Sequence, residues 1–230
     1  MLGRYGVTIG VVIQARMGSS RLPGKVLRPI AGRVLLDHVI GRLRDLQTPV
    51  EVVVATSTEP GDDIVAAHCK GRVNCFRGSE LDVLDRYVSC AQANRFDHVL
   101  RLTADNPFTD IEELDRLIAL HLVEGYDYTH AFGELPIGVG AEIFTFSALL
   151  ESHLAGHAPN HREHVNEYVQ ENPDLFRIGR LAVPARKKAP NLSLTVDTPA
   201  DYERACHLAE KAKGAWLTTE EAILLCLRSV

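Results

Sequence analysis

An apolar opening segment, followed by regular alternation between strand-like and helix-like patterns, constrains the fold of this chain more than any other feature. Val7–Ile13 is rich in β-branched residues, as expected for a strand that is buried on both faces. Strand and helix patterns then alternate up to about residue 125. This order predicts an α/β fold of three layers (α/β/α), with a mostly parallel, mixed sheet and right-handed crossovers.

Four strands and four helices are predicted in this first part. The strands are Val7–Ile13, Val50–Ala55, Val73–Phe76 and His98–Leu102, and the helices are Val34–Leu46, Asp62–Cys69, Leu81–Asn94 and Ile111–Val123. In the third helix, Leu81 and Leu84 begin an apolar face that continues to Ala91. Ligands of parallel sheets bind beyond the carboxyl ends of the strands, so the loops after Ile13 and Leu102 are candidate sites.

The pattern changes after residue 125. Strands are predicted over Asp127–Ala131, Glu142–Phe146, Phe176–Val183 and Leu192–Val196, and helices over Ser147–Leu154, Asn160–Asn172, Pro199 to about Lys213 and Thr218–Leu227. The basic segment Pro184–Pro190 is predicted to be an exposed loop. We expect a single domain with parts at about 1–125, 126–190 and 191–230, the last of which returns to the sheet near Leu192.

Composition and charge exclude several classes of partner. The net charge of −5 gives no general attraction to nucleic acid or to an anionic membrane. The 230 residues contain no run of 18 apolar residues, and Met1–Arg16 lacks a small-residue cleavage site, so neither a membrane span nor a signal peptide is expected. The five cysteines are scattered without a CxxC pair, which predicts free thiols in the reducing cytoplasm.

The segment Gln14–Lys25, QARMGSSRLPGK, directly follows the first strand and predicts an anion-binding loop. It has no acid and three cations, Arg16, Arg21 and Lys25. Its glycines allow close backbone approach, and Ser19 and Ser20 add hydroxyl donors. Free amides and fixed cations of this kind can bind a triphosphate. The alternative is a solvated surface loop with incidental charges.

This loop differs from two well-known nucleotide-binding motifs. It is not a Walker A motif, because five residues separate Gly18 from Gly24 and because Val26, not Ser or Thr, follows the lysine. The sequence also lacks GxGxxG, which argues against a dinucleotide cofactor. The expected ligand is therefore a phosphate chain bound in a different way.

Two aspartates lie just beyond predicted strand ends. Asp105 follows the strand that ends at Leu102, and Asp197 follows the strand that ends at Val196. Carboxylates at the ends of neighbouring strands can share one Mg²⁺ ion, which prefers oxygen ligands and substrate phosphates. Alternatively, Asp105 is a turn residue and Asp197 is a helix N-cap.

Several segments together resemble the sugar-nucleotide cytidylyltransferases, which include the CMP-KDO and CMP-acylneuraminate synthetases. The opening QARMGSSRLPGKVL carries the resemblance first. It continues in the family's order through Phe76–Tyr87, Arg101–Pro107, Glu142–Leu149, His161–Ile178 and Leu194–Glu203. Over nearly the whole chain, the sequence is most similar to the spore-coat polysaccharide SpsF type.

The resemblance implies a Rossmann-like fold of the nucleotide-diphospho-sugar transferase type and a specific reaction. An acceptor oxygen attacks the α-phosphorus of CTP in line, and pyrophosphate leaves. It further implies a homodimer, Mg²⁺ or Mn²⁺ held by Asp105 and Asp197, and a place in surface polysaccharide synthesis. Residues 1–125 would bind the nucleotide, and residues 126–190 would close over the acceptor.

Candidate nucleotide-binding and catalytic residues lie in the matching segments. The catalytic candidates are Arg16, Lys25 and Asp105. The nucleotide-binding candidates are Gln14, Ala15, Arg16, Gly18, Ser19, Ser20, Arg21, Lys25, Arg77, Gly78, Ser79, Thr103 and Ala104. Ser79 would read the pyrimidine edge, unless it is the N-cap of the next helix. Arg101 would either contact phosphate or pair with Asp105.

Candidate acceptor-binding residues are Glu142, Arg162 and His164. The last two match the family's REHV motif and would contact an anionic acceptor, such as a nonulosonic or other sugar acid. A structural hydrogen-bonding role is the alternative for Glu142. Gly140 stands where related sequences commonly carry an acid, which leaves the acceptor open. A zinc site at His161 and His164 has no evident third ligand and is not favoured.

Three other functions compete with this prediction. The acceptor of CMP could be a phosphonate or a phosphorylated small molecule instead of a sugar acid. A glycosyltransferase usually carries a DxD metal motif, which Asp105-Asn106-Pro107 does not provide. The presence of Arg16, Lys25, Asp105 and Asp197 argues against a nucleotide-binding regulator without turnover.

Overall fold

The computed structural model describes residues 6–228, so Met1–Tyr5 of the predicted N-terminal segment lie outside the described residues. The strands are β1 (Ile9–Gln14), β2 (Pro29–Ile30), β3 (Arg33–Val34), β4 (Glu51–Ser57), β5 (Asn74–Gly78), β6 (His98–Thr103), β7 (Tyr128–His130), β8 (Glu142–Thr145) and β9 (Ile178–Arg180). The α-helices are α1 (Leu35–Arg42), α2 (Asp63–Cys69), α3 (Val83–Asn94), α4 (Ile111–Glu124), α5 (Phe146–Ala155), α6 (Pro159–Glu163), α7 (Glu167–Glu171), α8 (Pro199–Glu210) and α9 (Thr219–Arg228).

Seven of these strands form one sheet in the order β5-β4-β1-β6-β8-β7-β9. Strand β8 is antiparallel to β6 and β7, and the other neighbouring pairs of this sheet are parallel. Strands β2 and β3 form a separate small hairpin. The predicted mostly parallel, mixed sheet is confirmed, and the carboxyl ends of β1, β4 and β6 lie at one edge.

Helices cover both faces of the sheet. Alternate residues of a strand point to opposite faces, so Val11 and Ile13 join one buried core while Val12 joins the other. Helices α1, α2, α4, α8 and α9 contribute buried residues to the first core. Helices α3, α5 and α7 contribute to the second. The predicted three-layer architecture is therefore confirmed.

Helix α3 begins later than predicted. Its N-cap is Asp82, whose side chain accepts a hydrogen bond of 2.8 Å from the N–H of Asp85. Leu81 consequently precedes the helix and is largely exposed, so its predicted place on the apolar face is wrong. The buried face begins at Val83 and Leu84.

The predicted helix over Asn160–Asn172 is two short helices, α6 and α7. The chain between them is extended at His164, which has φ −114° and ψ 102°. The break directs the exposed His164 side chain toward the clefts described below.

The predicted strand over Leu192–Val196, with its return to the sheet, is wrong. This segment is extended but lies beside the turn at Ile137, with which it forms a single bridge through Ser193. The N–H of Ile137 donates to the carbonyl of Leu192 (2.8 Å), and the N–H of Leu194 donates to the carbonyl of Ile137 (2.8 Å). These bonds set the position of the residues that follow, including Asp197.

The basic segment Pro184–Pro190 is only partly an exposed loop. It contains a 3₁₀ turn over Ala185–Lys187, and the Lys187 side chain is buried. Its ammonium donates to the carboxylates of Asp110, Glu112 and Glu113. The expectation of full exposure fails here because acids on and beside α4 attract the lysine inward.

Two further predictions from the sequence concern membrane-spanning helices and the cysteines. Within residues 6–228, no helix is both long enough and apolar enough to cross a bilayer. All five cysteines are free thiols, as predicted, and Cys69 and Cys90 are buried.

Candidate active site

The loop after β1 is fixed to neighbouring strand ends by backbone and side-chain hydrogen bonds. The N–H of Ala15 donates to the carbonyl of Ala55 (3.1 Å), so Ala15 has a structural contact. The N–H of Met17 donates to Asp62 (2.6 Å), whose other oxygen accepts from the hydroxyl of Ser57 (2.5 Å). Burial works against the charge of Asp62, but these hydrogen bonds outweigh it and lower its pKa.

Asp62 was not predicted to belong to the site. It is buried and connects the loop to the end of β4. In the sequence, Asp62 is an acid between a predicted strand and a predicted helix. Such an acid cannot be distinguished from an ordinary residue of the first helical turn.

The far end of the loop turns sharply at Gly24, which has φ +69°. Its N–H donates to the carbonyl of Met17 (3.1 Å), closing the loop. Leu22 and Val26 are buried and anchor this turn to the core. Lys25, which lies between these two anchors, is directed inward, while Arg21, just before Leu22, is exposed.

Lys25, Asp105 and Asp197 converge on one point. The Lys25 Nζ lies 2.7 Å from Asp105 Oδ2 and 2.9 Å from Asp197 Oδ1. It also donates to the carbonyl of Val196 (2.9 Å), which satisfies its third N–H. Lys25 is only 8% exposed. Residues that are far apart in the sequence thus form one compact charged cluster, in which the ammonium of Lys25 pairs directly with both aspartates.

Asp105 is held by its neighbours just beyond β6. The hydroxyl of Thr103 donates to Asp105 Oδ1 (2.6 Å) and accepts from the side-chain amide of Asn106 (2.8 Å). The N–H of Val196 donates to the backbone carbonyl of Asp105 (2.9 Å). One carboxylate oxygen is therefore fixed by the protein, and the other faces Lys25.

Asp197 is not the N-cap of α8, so that alternative is wrong. The cap is Thr198, which forms a capping box with Asp201. The backbone N–H of Asp197 also donates to Asp201 (3.2 Å). Because Thr198 supplies the cap, the Asp197 carboxylate stays available and contacts Lys25 and Arg21, the latter at 3.1 Å.

A first cleft of about 450 Å³ opens above this cluster. The predicted residues that line it are Gln14, Arg16, Gly18, Ser19, Ser20, Arg21, Lys25, Thr103, Ala104, Asp105, His164 and Asp197. Among the described residues, Arg16 forms no ion pair, and Arg21 is 63% exposed in its side chain. The cleft therefore presents to an incoming anion the guanidinium of Arg16, unpaired within the described part of the chain, and the exposed guanidinium of Arg21.

A second cleft of about 490 Å³ adjoins the first. The residues shared by the two clefts are Arg101, Thr103, Asp105, His164 and Asp197. Its outer wall is formed by exposed Phe132 and Ile137, and its floor includes Gly140 and Glu142. The charged cluster thus lies at the junction of two spaces, as a reaction between two substrates requires.

Arg101 pairs with Glu142 and not with Asp105. Glu142 is buried and also accepts a hydrogen bond from the hydroxyl of Tyr128. Burial opposes the charge of Arg101, but the Glu142 carboxylate raises the pKa of the guanidinium above its ordinary value. Burial and then Glu142 raise the pKa of Tyr128. Glu142 is therefore a structural hydrogen-bond acceptor that also borders the second cleft.

Five predicted residues line neither cleft, namely Ala15, Arg77, Gly78, Ser79 and Arg162. Arg77 donates to the carbonyl of Ser57 (2.8 Å) and pairs with Asp63 (2.6 Å). Gly78 packs against the stem of Arg86. The hydroxyl of Ser79 accepts from the N–H of Asp82 (3.0 Å), but Ser79 is not the N-cap, because α3 begins only at Val83 and is capped by Asp82.

Arg162 is likewise directed elsewhere. Its guanidinium lies 2.9 Å from His153 Nδ1 and 3.5 Å from Asp82. The structure brings His164 and Glu142 to the second cleft but leaves Arg162 outside it. The spacing of the REHV motif alone could not reveal this difference, because the break between α6 and α7 separates the side chains of Arg162 and His164.

Arg86 is a residue that the sequence analysis missed. It is fully buried on α3, and its Nη1 donates to the carbonyl of Ser79 (2.6 Å). Its Nε and Nη2 have no partner among the described residues. Burial lowers its pKa. Arg86 supports the turn around Ser79. It was missed because an arginine on a helix is ordinarily expected to face solvent.

The geometry does not favour a histidine metal site. His161 pairs with Glu171 at 2.7 Å, and His164 is exposed at the clefts. Within residues 6–228, the one group of three or more metal-binding side chains that lie within mutual reach is Asp110, Glu112 and Glu113. The ammonium of Lys187 already pairs with all three carboxylates of that group.

Asp105 and Asp197 fit a hard divalent cation better. Asp105 Oδ2 and Asp197 Oδ1 each lie within 2.9 Å of one nitrogen atom, so both point at the same place. Carboxylate oxygens are the ligands that Mg²⁺ prefers, with substrate phosphates completing its coordination. The donor set therefore matches the predicted Mg²⁺ or Mn²⁺.

Comparison with known proteins gives a consistent result. Residues 10–223 match a family described as cytidylyltransferase. The chain is 42% identical over 207 residues to the spore coat polysaccharide biosynthesis protein SpsF of Bacillus subtilis (strain 168), covering 87% of this chain and 86% of SpsF. A solved cytidylyltransferase from Leptospira borgpetersenii has a TM-score of 0.90 at 30% identity, covering 97% and 95% of the two chains. CMP:2-keto-3-deoxy-manno-octonic acid synthetase complexed with CTP shares the fold, with a TM-score of 0.65 at 20% identity and coverage of 89% and 99%.

Proposed function

The chain belongs to the cytidylyltransferase family, and from this premise we propose that it transfers CMP from CTP to a small-molecule acceptor and releases pyrophosphate. Members of this family are nucleotidyltransferases, so the glycosyltransferase and regulator alternatives are set aside. The observation that carries the proposal is the cluster of Lys25, Asp105 and Asp197 at the junction of two clefts. CTP would occupy the first cleft, and the acceptor would occupy the second.

The loop cations would bind the β- and γ-phosphates. Arg16 has no protein ion-pair partner among the described residues, and Arg21 makes one exposed contact with Asp197. Two guanidinium groups can form bidentate hydrogen bonds with phosphate oxygens, while Lys25 contributes a compact charge. These groups would offset the negative charge that grows on the leaving pyrophosphate.

Asp105 and Asp197 would hold Mg²⁺ or Mn²⁺, which when bound neutralises charge on the phosphate oxygens. The protein's part is to keep the two carboxylates in place before the substrates arrive. Thr103 fixes Asp105 through its hydroxyl, and Asp201 fixes the backbone of Asp197. Such preorganisation and substrate positioning account for most of the catalysis that phosphoryl-type transfers need.

We propose a nonulosonic or other sugar acid as the acceptor and surface polysaccharide synthesis as the process. The relative from B. subtilis is a spore coat polysaccharide biosynthesis protein, and one structural relative is a synthetase for CMP and a keto sugar acid. His164 and Glu142 are the proposed acceptor contacts because both line the second cleft. Phe132 offers an apolar surface for the carbon face of a sugar ring.

The test is pyrophosphate release from CTP, Mg²⁺ and a panel of acceptors. Sugar acids, phosphonates and phosphorylated sugars form separate arms, and UTP and ATP replace CTP in parallel. We expect release with CTP and a sugar acid. Release with UTP or ATP in place of CTP would contradict the base specificity, and release with a phosphonate alone would contradict the acceptor.

Two variants test the cluster directly. Lys25→Ala and Asp105→Asn should each lower kcat by on the order of 10²-fold or more with folding intact. Lys188→Ala is the control, because Lys188 is half-exposed and pairs with Glu134 away from both clefts. A near-normal rate for either cluster variant is inconsistent with the proposed site.

A further inference from the structure

The ammonium of Lys25 occupies the place to which the two site carboxylates point. Its three hydrogen bonds go to Asp105 (2.7 Å), Asp197 (2.9 Å) and the carbonyl of Val196 (2.9 Å). No hydrogen of the ammonium is left over, and the residue is only 8% exposed. The single positive charge of the lysine therefore offsets one of the two negative charges of the carboxylate pair from within.

A divalent cation and this ammonium cannot share the same position. Mg²⁺ binds carboxylate oxygens at about 2.0–2.1 Å, closer than the ammonium now lies. An ion held by both Asp105 Oδ2 and Asp197 Oδ1 would displace the Lys25 Nζ from between them. The two positive charges would also repel each other strongly at such a separation.

We propose that Lys25 occupies the metal site of the nucleotide-free protein and that nucleotide phosphate opens the site by attracting the ammonium into the first cleft. The inference rests on the proposed function, because it takes CTP as the ligand of that cleft. Lys25 borders the first cleft together with Arg16 and Arg21, so a phosphate bound there is an alternative anionic partner for the ammonium.

The proposed exchange couples the two ligands energetically. Without nucleotide, a metal ion that displaces Lys25 leaves an ammonium in a poorly hydrated position with no anion to replace the carboxylates, which is costly. With nucleotide bound, the phosphates take the place of the carboxylates and the cost disappears. Metal and CTP therefore bind cooperatively, and by linkage each strengthens the other by the same factor.

Arg21 differs from Lys25 in the feature that matters. It contacts only Asp197, at 3.1 Å, and its side chain is 63% exposed. A metal ion can displace it into water at little cost, since an exposed ion pair contributes little. Arg21→Met is thus a matched control that removes a cation from the same carboxylate without opening the shared position.

The decisive experiment is a Mn²⁺ titration of wild-type, Lys25→Met and Arg21→Met proteins without nucleotide, following free Mn²⁺ by electron paramagnetic resonance. Lys25→Met should bind Mn²⁺ at least about tenfold more tightly than wild type, because an uncompensated carboxylate pair attracts the ion. Arg21→Met should stay within about twofold of wild type. Lys25→Gln, which keeps a hydrogen-bond donor without the charge, should follow Lys25→Met.

A second titration adds CTP without an acceptor and corrects for Mn²⁺ bound to free CTP. Wild-type Mn²⁺ affinity should rise at least tenfold on adding CTP, and that rise should shrink in Lys25→Met. Unchanged or weaker Mn²⁺ binding by folded Lys25→Met without nucleotide overturns the inference. Circular dichroism verifies folding. If Lys25→Met is less stable than wild type without metal, we still expect Mn²⁺ to raise the Tm of the variant by more than it raises the Tm of wild type.

The outcomes separate this inference from the proposed function. Turnover of CTP by wild type with unchanged Mn²⁺ affinity in Lys25→Met refutes only the exchange at Lys25. Tighter Mn²⁺ binding by Lys25→Met without turnover of CTP on any acceptor refutes the proposed reaction and leaves the competition between Lys25 and metal established.

Discussion

The ammonium of Lys187, in the 3₁₀ turn Ala185–Lys187, lies among three carboxylates at the start of α4. It contacts Asp110, Glu112 and Glu113, and Asp110 also accepts from the hydroxyl of Thr219 (2.5 Å). Burial opposes the charge of Lys187, but the surrounding acids prevail and raise its pKa. The cluster is therefore satisfied only while the lysine is present.

Lys187→Met should reduce the free energy of unfolding by about 3–5 kcal/mol, because the buried carboxylate of Asp110 loses its paired cation and the buried Glu113 keeps only Arg116. Urea denaturation at pH 7 measures this change. Lys188→Met is the adjacent control: its side chain is 50% exposed and pairs with Glu134, so we expect a loss below about 1 kcal/mol. Equal losses in the two variants would show that burial of Lys187 contributes nothing special.

Individual residues were predictable where chemistry and strand position coincide. Asp105 could be recognised because an acid directly follows a buried strand in a sheet whose ligands bind at that edge. Arg86 and Asp62 could not, because burial of a charged group depends on which elements cover it. Arg162 matched a motif, but the direction of its side chain depends on a helix break that the local sequence does not specify.

The turn at Gly138 is the element that aligns the segment carrying Asp197. Gly138 has φ +85°, and an added Cβ would lie 2.8 Å from the backbone nitrogen of Thr195. Gly138→Ala should therefore push this extended segment away from Asp105. We expect Mn²⁺ affinity in the presence of CTP to fall about tenfold or more, since a metal site tolerates little misplacement of its ligands.

Gly71→Ala is the matched control for this prediction. Gly71 has φ +74° and open space around the added Cβ, so it carries a similar backbone cost of about 1–2 kcal/mol without a steric clash. Its Mn²⁺ affinity should equal that of wild type. If both alanine variants bind Mn²⁺ alike, the turn at Gly138 does not position Asp197.

At the scale of elements, the buried parallel strands were the most predictable part. Strands β1, β4 and β6 are apolar runs with β-branched residues, and the predicted ranges overlap the observed ones. Extended pattern alone predicted a strand over Leu192–Val196, but a strand also needs a partner along its length. That segment finds one only at Ile137, a long-range contact that no local pattern encodes.

The stability of the whole molecule should depend on pH through His121. It is fully buried between Thr129 and His98, each 3.0 Å from one of its ring nitrogens. Burial, and then the charge of His98, lower the pKa of His121 to about 3 from its ordinary value of 6.5. Between these two values the unfolded chain binds a proton that the folded chain does not, so stability falls as the pH drops below about 6.5.

Urea denaturation at pH 7.5 and pH 5.0 measures this effect. His121 should contribute a loss of at most about 1.4 kcal/mol per pH unit below 6.5. Other buried histidines with lowered pKa values, such as His38, act in the same direction. The test therefore compares the change in the free energy of unfolding between the two pH values in wild type and in a His121 variant. His121→Gln should lose about 2 kcal/mol less than wild type over this interval. Parallel losses in the two proteins would exclude His121 as the cause.

For the whole molecule, the three-layer fold followed from alternation, and the site followed from loops at one sheet edge. The division into parts at about 1–125, 126–190 and 191–230, the homodimer and the cytoplasmic location stay predictions. They depend on contacts with partners and on cellular context, which strand and helix patterns do not encode. The acceptor could not be predicted from the sequence for a related reason. Phe132, Ile137 and Glu142 come together only in the folded chain, where they line the second cleft.

The separation of the clustered charges along the chain has a consequence for biosynthesis. Lys25 lies 80 residues from Asp105 and 172 residues from Asp197. While the ribosome is still making the protein, Lys25 and Asp105 emerge long before their third partner. An unfinished copy therefore lacks one of its two acidic groups, so the complete cluster can form only after Asp197 has been added to the chain.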